Sequence, residues 1–231
     1  MFETEEEFVQ SFIRHAPPSL WSRNNWRIQL QRFESTCSDG RADWVWAAMQ
    51  TDWRTDVLDE TASLIQIPAC SRILSQLNAS SPRTEEFLRS RSGVSARCFR
   101  RYLSMLSERG LIVDTGERRF VLGDAITFPE MEICAFEFKL GNWQRAFFQA
   151  TRYRSFSHRV YVVMPLNTVH RVNEFHDAFR RQNVGLLSHA PDGTSKKILP
   201  SAKRSPRMRS HFIKAVGMLH ESEAYFSPVC D

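Results

Sequence analysis

Ile133-Cys134-Ala135-Phe136-Glu137-Phe138-Lys139 carries an apolar alternation that predicts a buried strand. Period two points Glu137 and Lys139 to the same face. A carboxylate and an ammonium side by side on a buried strand cost free energy unless something uses them. The segment that follows, Trp143–Tyr153, is predicted to be a helix, and Gln149 and Tyr153 stand four apart on one face of it. Val160-Tyr161-Val162-Val163-Met164 is a continuous apolar strand, central in its sheet and closed by Pro165. A helix over Arg171–Arg181, a strand over Val184–Ser188, a turn at Pro191-Asp192-Gly193 and a short strand Lys197-Ile198-Leu199 complete an α/β alternation. Between them and the C-terminus, Lys203-Arg204-Ser205-Pro206-Arg207-Met208-Arg209 reads as a basic, solvated loop.

Upstream, residues 1–35 read as helix. Phe8, Phe12 and Ile13 fall at helical spacing, as do Trp26 and Leu30, with a break at Pro17-Pro18. Ser38-Asp39-Gly40 is a turn. Arg41-Ala42-Asp43-Trp44-Val45-Trp46-Ala47-Ala48-Met49 then suits a largely buried strand, with Asp43 at its head.

The middle of the chain has a different texture. Cys70–Leu77 is a short amphipathic helix. Thr84 caps a second helix whose first turn holds Glu85 and Glu86. Ser92-Gly93 turns the chain, and Ser95 caps a third helix, Ala96–Arg109, with Phe99, Leu103 and Leu106 on its core side. Gly110 ends that helix, and Leu111–Val113 and Phe120–Leu122 form a hairpin around Thr115-Gly116. Three helices and a hairpin resemble a winged helix-turn-helix over residues 68–124. In that motif the third helix enters the major groove. The resemblance implies DNA contacts by Arg97, Arg100 and Arg101 on that helix and by Arg118 and Arg119 at the hairpin tip. Guanidinium groups suit phosphate oxygens and guanine edges.

Composition narrows the partners. The net charge of +5 over 231 residues points to a polyanion, of which nucleic acid is the usual one. No apolar run reaches the roughly 18 residues of a membrane span. The acidic start MFETEEEFVQ lacks a signal pattern, so a cytoplasmic location is expected. Cys37, Cys70, Cys98, Cys134 and Cys230 form no C-x-x-C pair, which argues against a disulfide framework and a structural zinc.

Taken together, Arg41-Ala42-Asp43, Glu137-Phe138-Lys139 and Gln149-Ala150-Thr151-Arg152-Tyr153 resemble the PD-(D/E)XK nuclease superfamily, in particular its exonuclease-like branch with a Q-x-x-x-Y helix. The resemblance spans about residues 1–67 and 131–200 and departs from the family pattern in having Ala42 where proline is usual. It implies a restriction-endonuclease-like mixed sheet flanked by helices, formed by 1–67 with 131–231 and interrupted by an inserted unit at 68–130. It implies Mg²⁺, or Mn²⁺ in its place, held by Asp43, Glu137 and the carbonyl of Phe138. Lys139 would orient or deprotonate the attacking water, and Gln149 and Tyr153 would position the acids or the nucleic-acid backbone. An acid of the N-terminal helix sometimes completes such a site, and Glu7 is the candidate. The expected function is hydrolysis of DNA phosphodiester bonds, with a homodimer allowed. The alternative is a catalytically silent, nuclease-like DNA-binding regulator or defence component.

Overall fold

Strand β6 (Met131–Phe138) is buried along its whole length, because it has a strand on each side and a helix on each face. The structure, a computed structural model, describes residues 1–17, 19, 27–37, 40–49, 61–124 and 131–220. These fall into two units. Residues 1–49 and 131–207 form the first, and 61–124 and 208–220 the second. No helix among the described residues is long and apolar enough to cross a membrane.

The first unit is an α/β structure with a mixed six-stranded sheet. Besides β6 it contains β1 (Arg27–Cys37), β2 (Gly40–Met49), β7 (Arg159–Pro165), β8 (Gly185–His189) and β9 (Ser195–Leu199), in the order β1-β2-β6-β7-β8-β9. β1, β2 and β6 run antiparallel, β6, β7 and β8 parallel, and β9 antiparallel to β8. Alternation sorts the side chains. Trp44, Trp46, Phe136, Phe138, Tyr161, Val163 and Leu187 form one apolar face, covered by Phe8 and Phe12 of α1 (Glu5–His15). Burying each of those two rings contributes about 2–3 kcal/mol. His189 is enclosed in the same layer, stacked on Phe2 with centroids 5.7 Å apart. The opposite face receives α6 (Trp143–Tyr153) through Ala146, Ala150 and Tyr153.

Two expectations are corrected in this unit. The helix expected to run to residue 35 is α1 followed by the strand β1. Apolar residues four apart, such as Trp26 and Leu30, satisfy a period of two as well as a helical turn, so the pattern could not choose. The neighbour chose: β1 pairs along β2 down to Cys37 opposite Gly40, Trp44 Nε1 donates to Gln31 Oε1 at 3.2 Å, and Phe33 stacks on Trp44. Trp26, Pro18 and the turn residues Ser38 and Asp39 lie outside the described residues. The helix expected over Arg171–Arg181 is a 3₁₀ segment, Val169–Phe175, followed by α7 (His176–Gln182). Val169 and Val172 are both buried, a spacing of three that suits the tighter helix.

The second unit is larger than the sequence suggested. It holds α2 (Ala62–Gln66), α3 (Pro68–Ser75), α4 (Glu85–Ser92) and α5 (Ala96–Glu108). A small sheet accompanies them, made of β3 (Arg83–Thr84), β4 (Ile112–Asp114) and β5 (Arg119–Leu122) in the order β3-β5-β4. The caps lie where the sequence put them: Thr84 accepts from Phe87 N at 3.2 Å and Ser95 from Cys98 N at 3.4 Å. Gly93 and Gly110 take positive φ of 71° and 66° as the chain leaves α4 and α5.

The boundary at 68–130 is corrected because two further helices belong with this unit. α8 (Arg209–His220) packs on α2 and α3. Arg209 Nη1 donates to the carbonyl of Leu77 at 2.8 Å, just past the end of α3. The helices approach so closely that a Cβ at Gly217 would lie 2.6 Å from the carbonyl oxygen of Ala62 and from Ile65 Cγ1. The basic run expected as a loop therefore ends inside a helix start at Arg209.

Candidate active site

Three elements of the first unit bring the sequence-predicted residues together. Trp44 pairs with Phe136 in the antiparallel ladder, so the next step outward sets Asp43 across from Glu137. Asp43 Oδ2 accepts the backbone N–H of Phe138 at 2.7 Å. Glu137 is fully buried. Tyr153, at the end of α6, brings its Oη within 2.5 Å of Glu137 Oε2 and 2.6 Å of the Arg41 carbonyl oxygen. Lys139 Nζ stands 3.6 Å from Glu137 Oε1, an ion-pair distance beyond a hydrogen bond, and Oε1 itself is buried without a hydrogen-bond partner.

The electrostatics follow from burial. Burial and the adjacent Asp43 carboxylate push the Glu137 carboxyl up to about 7, against the opposing pull of Tyr153 and Lys139. Asp43 is raised as well, by burial first, with the Phe138 N–H and Lys139 working the other way. Burial of Lys139 acts to lower its pKa, but the hydrogen bond it donates to Glu5 and the charges of Asp43 and Glu137 outweigh it and raise it. Lys139 is therefore an ammonium in this arrangement.

The N-terminal acid at the site is Glu5 and not Glu7. Glu5 Oε2 accepts from Lys139 Nζ at 2.8 Å, whereas Glu7 Oε2 accepts the backbone N–H of Glu3 within its own helix start. The signal was present in the spacing. Phe8 and Phe12 pack on Phe138, with centroids 5.7 and 5.3 Å away, which fixes the facing side of α1. Glu5 precedes Phe8 by three and shares that side; Glu7 adjoins Phe8 and does not.

Gln149 is half-buried one turn before Tyr153, and its Oε1 is buried without a hydrogen bond. The structure does not tie it to either acid. Among the described residues no three His, Cys, Asp or Glu side chains group as a metal cage. What converges is a pair of carboxylates beside a backbone segment. Hard divalent cations that keep most of their waters need no more than one or two such acids.

The arginines of the second unit are on its surface. Arg97, Arg100 and Arg101 are exposed on α5, opposite the buried Phe99, Leu103 and Leu106. Arg119 is exposed on β5. Arg118 is exposed but engaged, its Nε 2.6 Å from Glu85 Oε2. No protein-family model, no curated protein and no solved structure matches this chain.

Proposed function

We propose that this chain is a Mg²⁺-dependent nuclease that hydrolyses DNA phosphodiester bonds, of the PD-(D/E)XK type. The observation that carries the reading is the convergence of Asp43 of β2, Glu137 of β6, Lys139 just past the end of β6 and Tyr153 of α6. Residues far apart in sequence meet there in a buried, charged group that a merely structural role would not favour. The mixed sheet with α1 on one face and α6 on the other supports the same reading.

The donors fit Mg²⁺. Glu137 Oε1 is a buried oxygen in want of a partner, Asp43 adjoins it, and the Phe138 carbonyl is the remaining candidate ligand. When bound, Mg²⁺ supplies Lewis-acid polarisation of the phosphoryl oxygen and a more acidic water. The chain's own groups do the rest. Glu137 must give up its proton to act as a ligand, and Tyr153 holds its other oxygen in place. Lys139, kept charged and oriented by Glu5, steadies negative charge developing on the phosphate rather than removing a proton from water.

In the second unit, the order helix, short strand, two helices and hairpin supports a winged helix-turn-helix. Arg97, Arg100 and Arg101 then face a duplex, with Arg119 at the wing. Two observations favour the second reading, a catalytically silent DNA-binding protein. Lys139 is already occupied by Glu5, and no third acidic ligand joins the pair among the described residues.

The deciding experiment is cleavage of single- and double-stranded DNA with Mg²⁺ or Mn²⁺ by the wild type, Glu137→Ala and Lys139→Ala. Metal-dependent cutting by the wild type alone establishes the nuclease. Salt-sensitive DNA binding without cutting establishes the silent protein.

A further inference from the structure

The exposed flank of α6 adjoins the site and has a chemistry of its own. About 100° separates successive residues round a helix. Passing round α6 from Tyr153, which touches Glu137, the next position is the half-buried Gln149, then the exposed Arg145 and Arg152, then the exposed Phe148. Phe148 is 60% exposed. The other two aromatic rings of the helix are used: Trp143 lies 4.4 Å from Phe175 and Phe147 4.6 Å from Phe179. Among the described residues the Phe148 ring pairs with no other aromatic ring and has the Arg152 guanidinium 4.7 Å from its centroid. No acid occurs in α6, and among the described residues neither Arg145 nor Arg152 forms an ion pair.

A single exposed phenylalanine is ordinary on a protein surface. One flanked by two arginines that form no ion pair among the described residues, on the helix whose Tyr153 meets Glu137, is a stacking platform in a positive setting. A base can lie on an aromatic face only when it is free of its own duplex stack, while arginines on either side meet phosphates. A duplex offers the arginines its phosphates but leaves the ring nothing to stack on.

We propose that this flank is the track of an unpaired DNA strand, with Phe148 stacked on a base and Arg145 and Arg152 on the neighbouring phosphates. The strand leads past Gln149 to Glu137. The inference rests on the nuclease reading and makes the substrate of that site single-stranded DNA or a duplex with an unpaired end.

The test is binding by the full chain, in chelator so that nothing is cut, of a short labelled single strand and of the same sequence as a blunt duplex. The proteins are the wild type, Phe148→Ala, Phe148→Trp and the double variant Arg145→Ala/Arg152→Ala. Loss of one stacked base weakens single-strand binding by about fivefold or more. Phe148→Ala should show that loss with duplex binding unchanged, and Phe148→Trp should restore it. The double variant should weaken single-strand binding and flatten its salt dependence. Equal single-strand binding by the wild type and Phe148→Ala overturns the track, as does an equal loss for both DNAs or no single-strand binding at all. Metal-dependent cleavage is read in parallel. A wild type that cuts while Phe148→Ala binds normally sinks the track alone. A wild type that never cuts but needs Phe148 to bind single strands sinks the nuclease alone.

Discussion

Tyr153 Oη sits 2.5 Å from Glu137 Oε2 while also 2.6 Å from the Arg41 carbonyl, so one phenolic proton faces two acceptors. The phenol can donate to only one of them at a time, and its donation to Glu137 favours the ionised carboxylate, against the burial that favours the protonated one. With burial prevailing, a carboxyl pushed up to about 7 is protonated over much of the range below neutrality. If Glu137 takes a cation as proposed, binding should release a proton, and cation affinity should rise with pH through this region.

Tyr153→Phe removes the phenolic bridge and leaves the Arg41 carbonyl and Glu137 Oε2 without that partner. The expected cost is about 1–3 kcal/mol of stability. Because the phenol favours ionised Glu137, its loss should also move the acidic limb of the pH–rate profile upward. An unchanged limb in an active variant would show that Tyr153 serves packing alone.

Glu137 should give the metal-free protein an unusual pH response. Its folded pKa is about 7 against an ordinary value of 4.5, so between these the folded state keeps a proton that the unfolded state has lost. Its contribution is fully present below 4.5 and is lost as pH rises through 7, by about 3 kcal/mol. Glu137→Gln stays neutral. In chelator at pH above 7 it should unfold at higher urea than the wild type, while cutting no DNA. A variant less stable than the wild type at every pH would contradict the assignment.

His189 pulls the other way. Its Nε2 lies 2.9 Å from Ser11 Oγ and its Nδ1 2.7 Å from Ser195 Oγ, and burial, then His15, hold its pKa down to about 4. The unfolded state takes up a proton near 6.5, so this contribution is complete above 6.5 and is lost as pH falls toward 4. Urea midpoints of His189→Gln should fall less than those of the wild type between those pH values. Parallel curves would refute the role.

Gly217→Ala puts a methyl where the Ala62 carbonyl and Ile65 already stand, 2.6 Å from each. The helices must part, at a cost of about 1–3 kcal/mol, read as a lower melting temperature. A neutral result would mean that α2 and α8 yield freely.

Arg97→Ala/Arg100→Ala/Arg101→Ala should weaken duplex binding and reduce its salt dependence, by about one unit of slope for each phosphate that is no longer neutralised. Cleavage of a short single strand should persist in this variant. Duplex binding at wild-type strength would remove α5 as the DNA-reading helix.

Local patterns made much of this legible. Glu137 on β6 with Lys139 just past its end, Gln149 and Tyr153 on α6, and the Thr84 and Ser95 caps are all set by residues within a few positions of one another. Asp43 is different: nothing near it in sequence says that it will face Glu137, and only the family resemblance joined them. β1 stayed hidden because its spacing fits either period until β2 is beside it. α8 stayed hidden because Ala215, Val216, Gly217, Met218 and Leu219 are consecutive and buried, so no polar face marks a helical repeat.

The late position of α8 has a consequence for synthesis. Each unit is assembled from stretches that the other interrupts. A ribosome working from the N-terminus releases the last strand of the six-stranded sheet before it releases Arg209–His220, whose partners α2 and α3 were made long before. The unit begun in the middle of the chain is thus closed by the final helix described. A chain that stops after residue 207 would keep the residues of the sheet and leave α2 and α3 bare, exposing apolar surface to aggregation until that helix arrives.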